Sequence, residues 1–329
     1  PELDLCTSHA DCTLILRRHN VFGVDLYQPK QGDYFMAQDD TACHRREKSV
    51  MNAILDYEDV PKMRAFVADE TAGILRKANG KIDFVPDISR SVPVALVQKF
   101  FGFRDADPDD LIDWSYWNQQ DAFHNQFFDA PGPVSPELII DRRKQAGFRL
   151  AFYLGRMLLR RTLADGIGLD GNDPMSRLIR LSRSDALKFS LKDVVINTGG
   201  LLIGAVETTS HCVANALEFL MADAERFRAA TAAAAGTAED FDGYVFEALR
   251  FRPAFPYFFR SCHRDTALAS GTPHETMIRQ GRTVLAVTHS AMFDAAAFPD
   301  PHRFDPGRDQ SDMFTFGQGL HECLGRAIA

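Results

Sequence analysis

The sequence predicts a mainly α protein with a small β region, on three observations. Long stretches repeat apolar residues at helical spacing. Strand-like pieces are few and come late in the chain. Helices and strands do not alternate as a parallel β-α-β chain requires, so a large helical body with a small β appendage is expected.

Taken in order, residues 41 to 56, 58 to 79, 90 to 102, 137 to 164, 174 to 183, 190 to 224 and 239 to 251 carry helical periodicity. The basic stretch 141 to 161 has arginines at helical spacing and reads as a solvated helix face. AATAAAAG, 229 to 236, reads as an exposed helix or loop end. Tyr257 to Cys262 and Thr283 to Val287 read as strands. Residues 298 to 312, rich in Pro and Asp, read as irregular coil. The aromatic-rich segment 114 to 134 is a candidate for an access region.

At 329 residues the chain fits one large core or two ordinary domains, and its 45% hydrophobic content is that of a globular protein. A net charge of −8 argues against a general nucleic-acid binder. No run of about 18 apolar residues suggests a membrane anchor. The opening residues lack the layout of a secretory signal. The six cysteines are scattered with no C-x-x-C pair, which suggests neither a zinc site nor a disulfide framework, and a reducing, cytoplasmic setting is expected. The start without methionine and the end in GRAIA suggest a piece of a longer chain, so 1–329 is expected to be a single domain that is incomplete at both ends.

Near the end stands FGQGLHECLG, 316 to 325. Gly317 and Gly319 precede Cys323 and Gly325 follows it. Glycines let a backbone take positive φ and approach a flat ligand closely. LGRAIA can begin a helix, which would put the sulfur near a helix N-terminus and favour the thiolate. Such a thiolate suits an axial position of a haem iron. Read alone, the residue could equally be a buried cysteine in a glycine-rich turn. The spacing F-x-x-G-x-H-x-C-x-G is more specific than that.

This stretch resembles the haem-binding loop of the cytochrome P-450 superfamily, the haem-thiolate monooxygenases. The resemblance implies haem b (iron protoporphyrin IX) with Cys323 as the iron ligand. It also implies that Phe316 packs beside the sulfur, that His321 reaches a haem propionate, and that Gly319 and Gly325 shape the loop. Glu322 is expected to face solvent.

Other marks follow the same family order. In FEALRFRP, 246 to 253, Glu247 and Arg250 lie three apart and share a helix face. Alone this is usually a solvated pair. The resemblance makes it the paired motif before the meander, joined by Arg303 of PHRF as structural support for the haem side. FDPGR, 304 to 308, also resembles the family's meander. Residues 197 to 220, NTGGLLIGAVETTSHCVANALEFL, form an apolar run interrupted by Glu207, Thr208 and Thr209. A buried Glu207 would be costly without a partner or role. Thr208 lies four after Gly204, and a hydroxyl that bonds the carbonyl four back opens a helix. The resemblance is to the long helix over the distal haem face, with Thr208 holding dioxygen by a hydrogen bond and Glu207 passing protons. Ala205 stands where a second glycine is usual.

In TACHRREKSVM, 41 to 51, the resemblance gives His44 and Lys48 to the propionates, with lysine in place of the usual arginine; Arg260 would be a third contact. Leu201, Leu202, Ala205, Phe255, Tyr257 and Phe258 are candidates for the substrate pocket by place, and ordinary core packing is an equal reading of each. The function implied is insertion of one oxygen atom of O2 into a small, mostly apolar organic substrate. Electrons would come from a separate ferredoxin or flavoprotein docking near Arg45, Arg46 and Arg326. A peroxygenase or isomerase, and a non-catalytic haem binder, are the alternatives.

Overall fold

The structure is a computed structural model and describes residues 3–55, 57–130, 132–163 and 171–328. In chain order it contains β1 (Leu3–Cys6), α1 (His9–Arg17), β2 (Phe22–Gly23), α2 (Gln28–Gln31), α3 (Ala42–Ile54), α4 (Val60–Lys77) and a π-helical stretch (Val85–Arg90). Next come α5 (Ser91–Phe100), α6 (Pro108–His124), α7 (Pro136–Leu163), α8 (Pro174–Leu181), α9 (Leu191–Ala205), α10 (Glu207–Met221), α11 (Ala224–Ala234) and α12 (Ala238–Phe251). The chain closes with β3 (Phe258–Cys262), β4 (Thr266–Leu268), β5 (Thr276–Ile278), β6 (Thr283–Ala286) and α13 (Thr288–Ala291). Six of the seven expected helices are present as single helices; the expected ends at Asp56 and Ala164 lie outside the described residues.

The chain divides into two compact units: Pro1–Leu26 with His211–Cys323, and Tyr27–Ser210 with Leu324–Ala329. The first holds the sheet, in the order β1-β6-β3-β2. Its central strand β6 pairs parallel with β1 (Leu3↔Thr283) and antiparallel with β3 (Phe258↔Ala286). All four residues of β6 are buried, which explains the unbroken apolar run. Cys6, Ile15, Leu16, Phe22, Val284, Phe298 and Phe314 form a core between sheet and α1. β1, β2 and the β4–β5 pair have too few residues for a period-2 pattern, so the sequence reading passed over them.

The second unit is helical. Its core joins Met51, Val97, Phe103, Leu111, Trp114, Leu150, Leu154, Val194 and Leu202 from α3 and α5 to α7 and α9. The Gly199–Gly200 pair lets α9 pack closely, since a Cβ at Gly200 would stand 2.2 Å from the Tyr34 ring. Capping starts the helices sharply: Ser190 and Asp193 form a reciprocal box at α9, and Thr41 accepts the His44 N–H at α3.

Two expectations need correction. Residues 190 to 224 are not one helix: α9 and α10 are separated by Val206, with φ −83° and ψ −69°. Residues 324–328 are turns where a helix is expected after Cys323, and the Ile328 N–H donates to the Gly325 carbonyl at 2.8 Å. The 141–161 stretch is solvated as its spacing predicts, with Arg142, Lys144, Arg149, Arg156 and Arg160 exposed. Arg143 pairs with Asp121, Arg149 with Asp110 and Asp113, and Arg161 with Asp173. Phe148, Phe152, Leu159 and Leu163 are exposed beside them. The aromatic segment contributes the end of α6, and Trp114 is buried in the core. Among the described residues no helix is long and apolar enough to cross a membrane.

Candidate active site

In the sheet-bearing unit the cysteine loop is built by backbone geometry. Gly317 and Gly319 take φ of 68° and 76°. A Cβ at Gly319 would stand 2.7 Å from the Leu16 carbonyl oxygen, so the loop lies against α1 as only glycine permits. Gly319–His321 form a 3-10 turn, the Glu322 N–H donates to the Gly319 carbonyl (3.1 Å), and the Cys323 N–H donates to the Phe316 carbonyl (3.0 Å). These bonds hold Cys323 in place, and its side chain is exposed. Phe316 packs edge-on against Phe246 of α12 at 6.1 Å, while His321 and Glu322 are half-buried.

Because the described residues after Cys323, 324–328, are turns, the fit to a metal rests on the donor itself. Burial, followed by the neighbouring Cys323, pushes the Cys212 thiol up to about 11. Cys212 therefore stays protonated at neutral pH, and Cys323 is the exposed sulfur of this neighbourhood. An exposed, backbone-fixed soft sulfur on a loop stripped of side chains fits axial ligation of haem iron.

Behind the loop, Glu247 and Arg250 form the bidentate pair that their spacing predicts, with both bonds at 2.8 Å and both side chains buried. The second guanidinium is Arg308, not Arg303. Arg308 Nε reaches Glu247 Oε1 at 3.3 Å, whereas Arg303 turns outward to Asp305 at 2.7 Å. The reason is local: Arg303 offers its carbonyl oxygen to Arg250 and Arg308, and the Asp305 N–H also bonds Glu247. PHRF therefore contributes backbone and FDPGR the charge. Gly243 of α12 makes room for this meander, since a Cβ there would stand 2.2 Å from the Pro306 carbonyl oxygen. Arg260 is buried on β3 and donates to the Phe259 carbonyl at 2.8 Å. Phe255 and Phe258 sit 6.3 Å apart, and Phe258 packs on the sheet core; Tyr257 precedes β3.

In the helical unit the bend at Val206 is the main feature. Thr208 Oγ1 donates to the Gly204 carbonyl at 2.5 Å, the bond that the four-residue spacing predicts. Regular bonds resume on either side, from Val206 N–H to Leu202 and from Ser210 N–H to Val206. A Cβ at Gly204 would meet nothing within 4 Å, so the opened turn faces free space. Glu207 is buried, and its Oε2 accepts from Arg90 at 3.0 Å. Nothing near Glu207 in the sequence announces Arg90, which is separated from it by more than a hundred residues. Leu201 and Leu202 belong to the helical core and Ala205 packs against it, which is the packing reading of those candidates.

On α3, His44 is buried and its Nδ1 lies 2.7 Å from the Phe35 carbonyl. A carbonyl only accepts, so Nδ1 carries the hydrogen; a propionate on Nε2 would need the imidazolium. Lys48, one turn on, is half-buried. Sequence reasoning missed Glu47, buried on the same face, which accepts from Cys43 Sγ (2.8 Å) and Asn197 Nδ2 (2.9 Å). Its place three residues after His44, on the stripe continuing to Met51 and Ile54, was the available signal.

Residues 241–329 match the family model described as Cytochrome P450. The chain is 26% identical to cytochrome P450 monooxygenase PikC of Streptomyces venezuelae over 82% of its own length and 58% of PikC. It is 27% identical to erythromycin C-12 hydroxylase of Saccharopolyspora erythraea over 98% of its length and 77% of that protein. The fold matches ligand-free cytochrome P450 TbtJ1 with a TM-score of 0.81 at 22% identity, covering 99% of this chain and 80% of that one. It matches CYP109E1 from Bacillus megaterium, solved with testosterone, with a TM-score of 0.80 at 21% identity, covering 98% and 80%. The cysteine loop, the Glu–Arg pair and the opened helix thus occur in a chain whose residues 241–329 match the Cytochrome P450 model and whose fold is similar to that of cytochrome P450 structures.

Proposed function

We propose that this chain is the haem-binding domain of a monooxygenase that inserts one oxygen atom of O2 into a small, mostly apolar organic molecule. The observation that carries the reading is the opened turn, with Thr208 on the Gly204 carbonyl and Glu207 buried beside it. When bound, the haem supplies oxygen activation on an iron held by a cysteine thiolate. Cys323 would hold it; Arg260, His44, Lys48 and His321 are the cations and donors proposed for its propionates. Phe316, Gly319 and Gly325 shape the loop. Thr208 would hold a hydroxyl toward the open space at Gly204, and Glu207 would take and release protons that oxygen cleavage consumes. Leu201, Ala205, Phe255, Tyr257 and Phe258 are proposed to face the substrate.

Electrons would come from a separate ferredoxin or flavoprotein. Of the three arginines proposed for its docking, Arg45 is paired with Asp40 and Arg46 lies 3.4 Å from Glu47. The test is the absorption of the dithionite-reduced protein with carbon monoxide. A strongly red-shifted Soret band, lost in Cys323→Ser, supports the reading. A band at the position of histidine-ligated haem in the wild type overturns it. Thr208→Ala is expected to keep haem while diverting electrons to peroxide; full coupling in that variant would remove Thr208 from the proposed role.

A further inference from the structure

The bend at Val206 is not held by the distal helix alone. Gln119 of α6 is almost fully buried, and its Nε2 donates to the Ile203 carbonyl at 2.6 Å. The next carbonyl, that of Gly204, takes the Thr208 hydroxyl. Two successive carbonyls at the bend are thus bonded by side chains. Tyr116, three residues before Gln119 on the same face of α6, lies under the Arg90 guanidinium at 5.9 Å, and Arg90 binds Glu207. Ser89 Oγ meets Ser210 Oγ at 3.2 Å, both residues buried. Ser89 and Arg90 end the π-helical stretch. So α6 reaches the bend on both of its sides, directly through Gln119 and through Tyr116 and Arg90.

We propose that Gln119 is a positioning residue for the Glu207–Thr208 pair. Its amide holds the Ile203 carbonyl turned out of the helix, which keeps the turn open and the Thr208 hydroxyl on Gly204. Because the donor sits on α6, the placement of that helix sets the geometry of proton delivery. This rests on the monooxygenase reading for its consequence, but not for its geometry. Without the amide, the freed carbonyl is a buried acceptor with no donor, and the local remedy is to close the helical turn or to fluctuate.

The test uses Gln119→Met, which keeps length and shape and removes the donor, with Gln119→Asn, which draws the amide back by one methylene, as the second variant. Amide hydrogen exchange across residues 199 to 211 is read in the haem-loaded protein without substrate, with α12 as the internal control. Exchange at the bend is expected to change by about tenfold, with α12 unaltered. Peroxide released per electron pair consumed should rise several-fold, while the substrate concentration for half-maximal spectral shift moves less than about twofold. Wild-type exchange at the bend in a folded variant overturns the proposal, and so does altered exchange with unchanged peroxide yield. If the wild type itself lacks the thiolate band with carbon monoxide, the monooxygenase reading falls, while exchange still decides whether Gln119 holds the bend.

Discussion

Two buried glutamates, each facing arginine, sit in the two units and are treated differently. Glu247 accepts from both nitrogens of the Arg250 fork, from Arg308 and from the Asp305 N–H. Arg250 is buried too, spends its remaining hydrogens on the Met292 and Pro301 carbonyls, and lies against the rings of Phe251 and Phe293. Such a set repays desolvation only because nearly every donor and acceptor is used, and it fixes one geometry. Glu207 instead accepts from Arg90 Nη2 at 3.0 Å, and the Arg90 side chain is 27% exposed. A partly solvated guanidinium can exchange its carboxylate for water. The contrast separates a rigid brace from a group placed to exchange.

Breaking the brace gives the largest effect. Arg250→Ala strands a buried carboxylate and should cost about 3–5 kcal/mol, read as a lower urea midpoint and loss of retained haem. Arg90→Gln is the matched change in the other unit. It should cost less, about 1–3 kcal/mol, because the lost partner is partly solvated. Equal losses for the two variants would erase the distinction. Gly243→Ala forces a methyl into the Pro306 carbonyl and should cost about 1–3 kcal/mol by thermal unfolding without touching any charge. Next, Arg308→Ala should destabilise by about 1–2 kcal/mol, while Arg303→Ala stays within about 0.5 kcal/mol, which separates the guanidinium that reaches Glu247 from the one that does not.

The smallest effect is one of pH, in the helical unit. Burial pushes the Asp121 carboxyl up, but the Asn125 hydrogen bond and the charges of Lys30 and Arg143 outweigh it and hold the group below the usual aspartate range. A depressed folded pKa stabilises the protein above the unfolded value of about 3.9, and that contribution is lost as pH falls through the folded value. Asp121→Asn should therefore be less stable than wild type at pH 7, and the gap should narrow below about pH 4 in urea titrations at each pH. A gap that stays constant with pH would show that Asp121 acts through packing alone.

The long helices were legible because each has enough residues to repeat an apolar face, as α7 and α12 do. α1 and α6 were passed over: α1 has nine residues, and α6 interleaves buried Ser115, Gln119 and Asp121 with its apolar side, which blurs the period. The cysteine loop was legible because glycine leaves a signature wherever backbone must pass close to backbone, as Gly319 does against Leu16. The Thr208 to Gly204 bond was legible because both partners lie within one turn.

The sequence by itself determined what local spacing can encode: the mainly helical class, the ligand loop, the Glu247–Arg250 pair and the weak point in the distal helix. Only the tertiary structure decided which distant side chains complete these features. Arg308 displaced Arg303 on Glu247, Arg90 came to Glu207 and Gln119 to Ile203. The physical reason is that a buried polar atom is satisfied by whichever donor the packing of other elements brings within about 3 Å. That distance is set by how helices pack against one another, and no spacing along the chain records it.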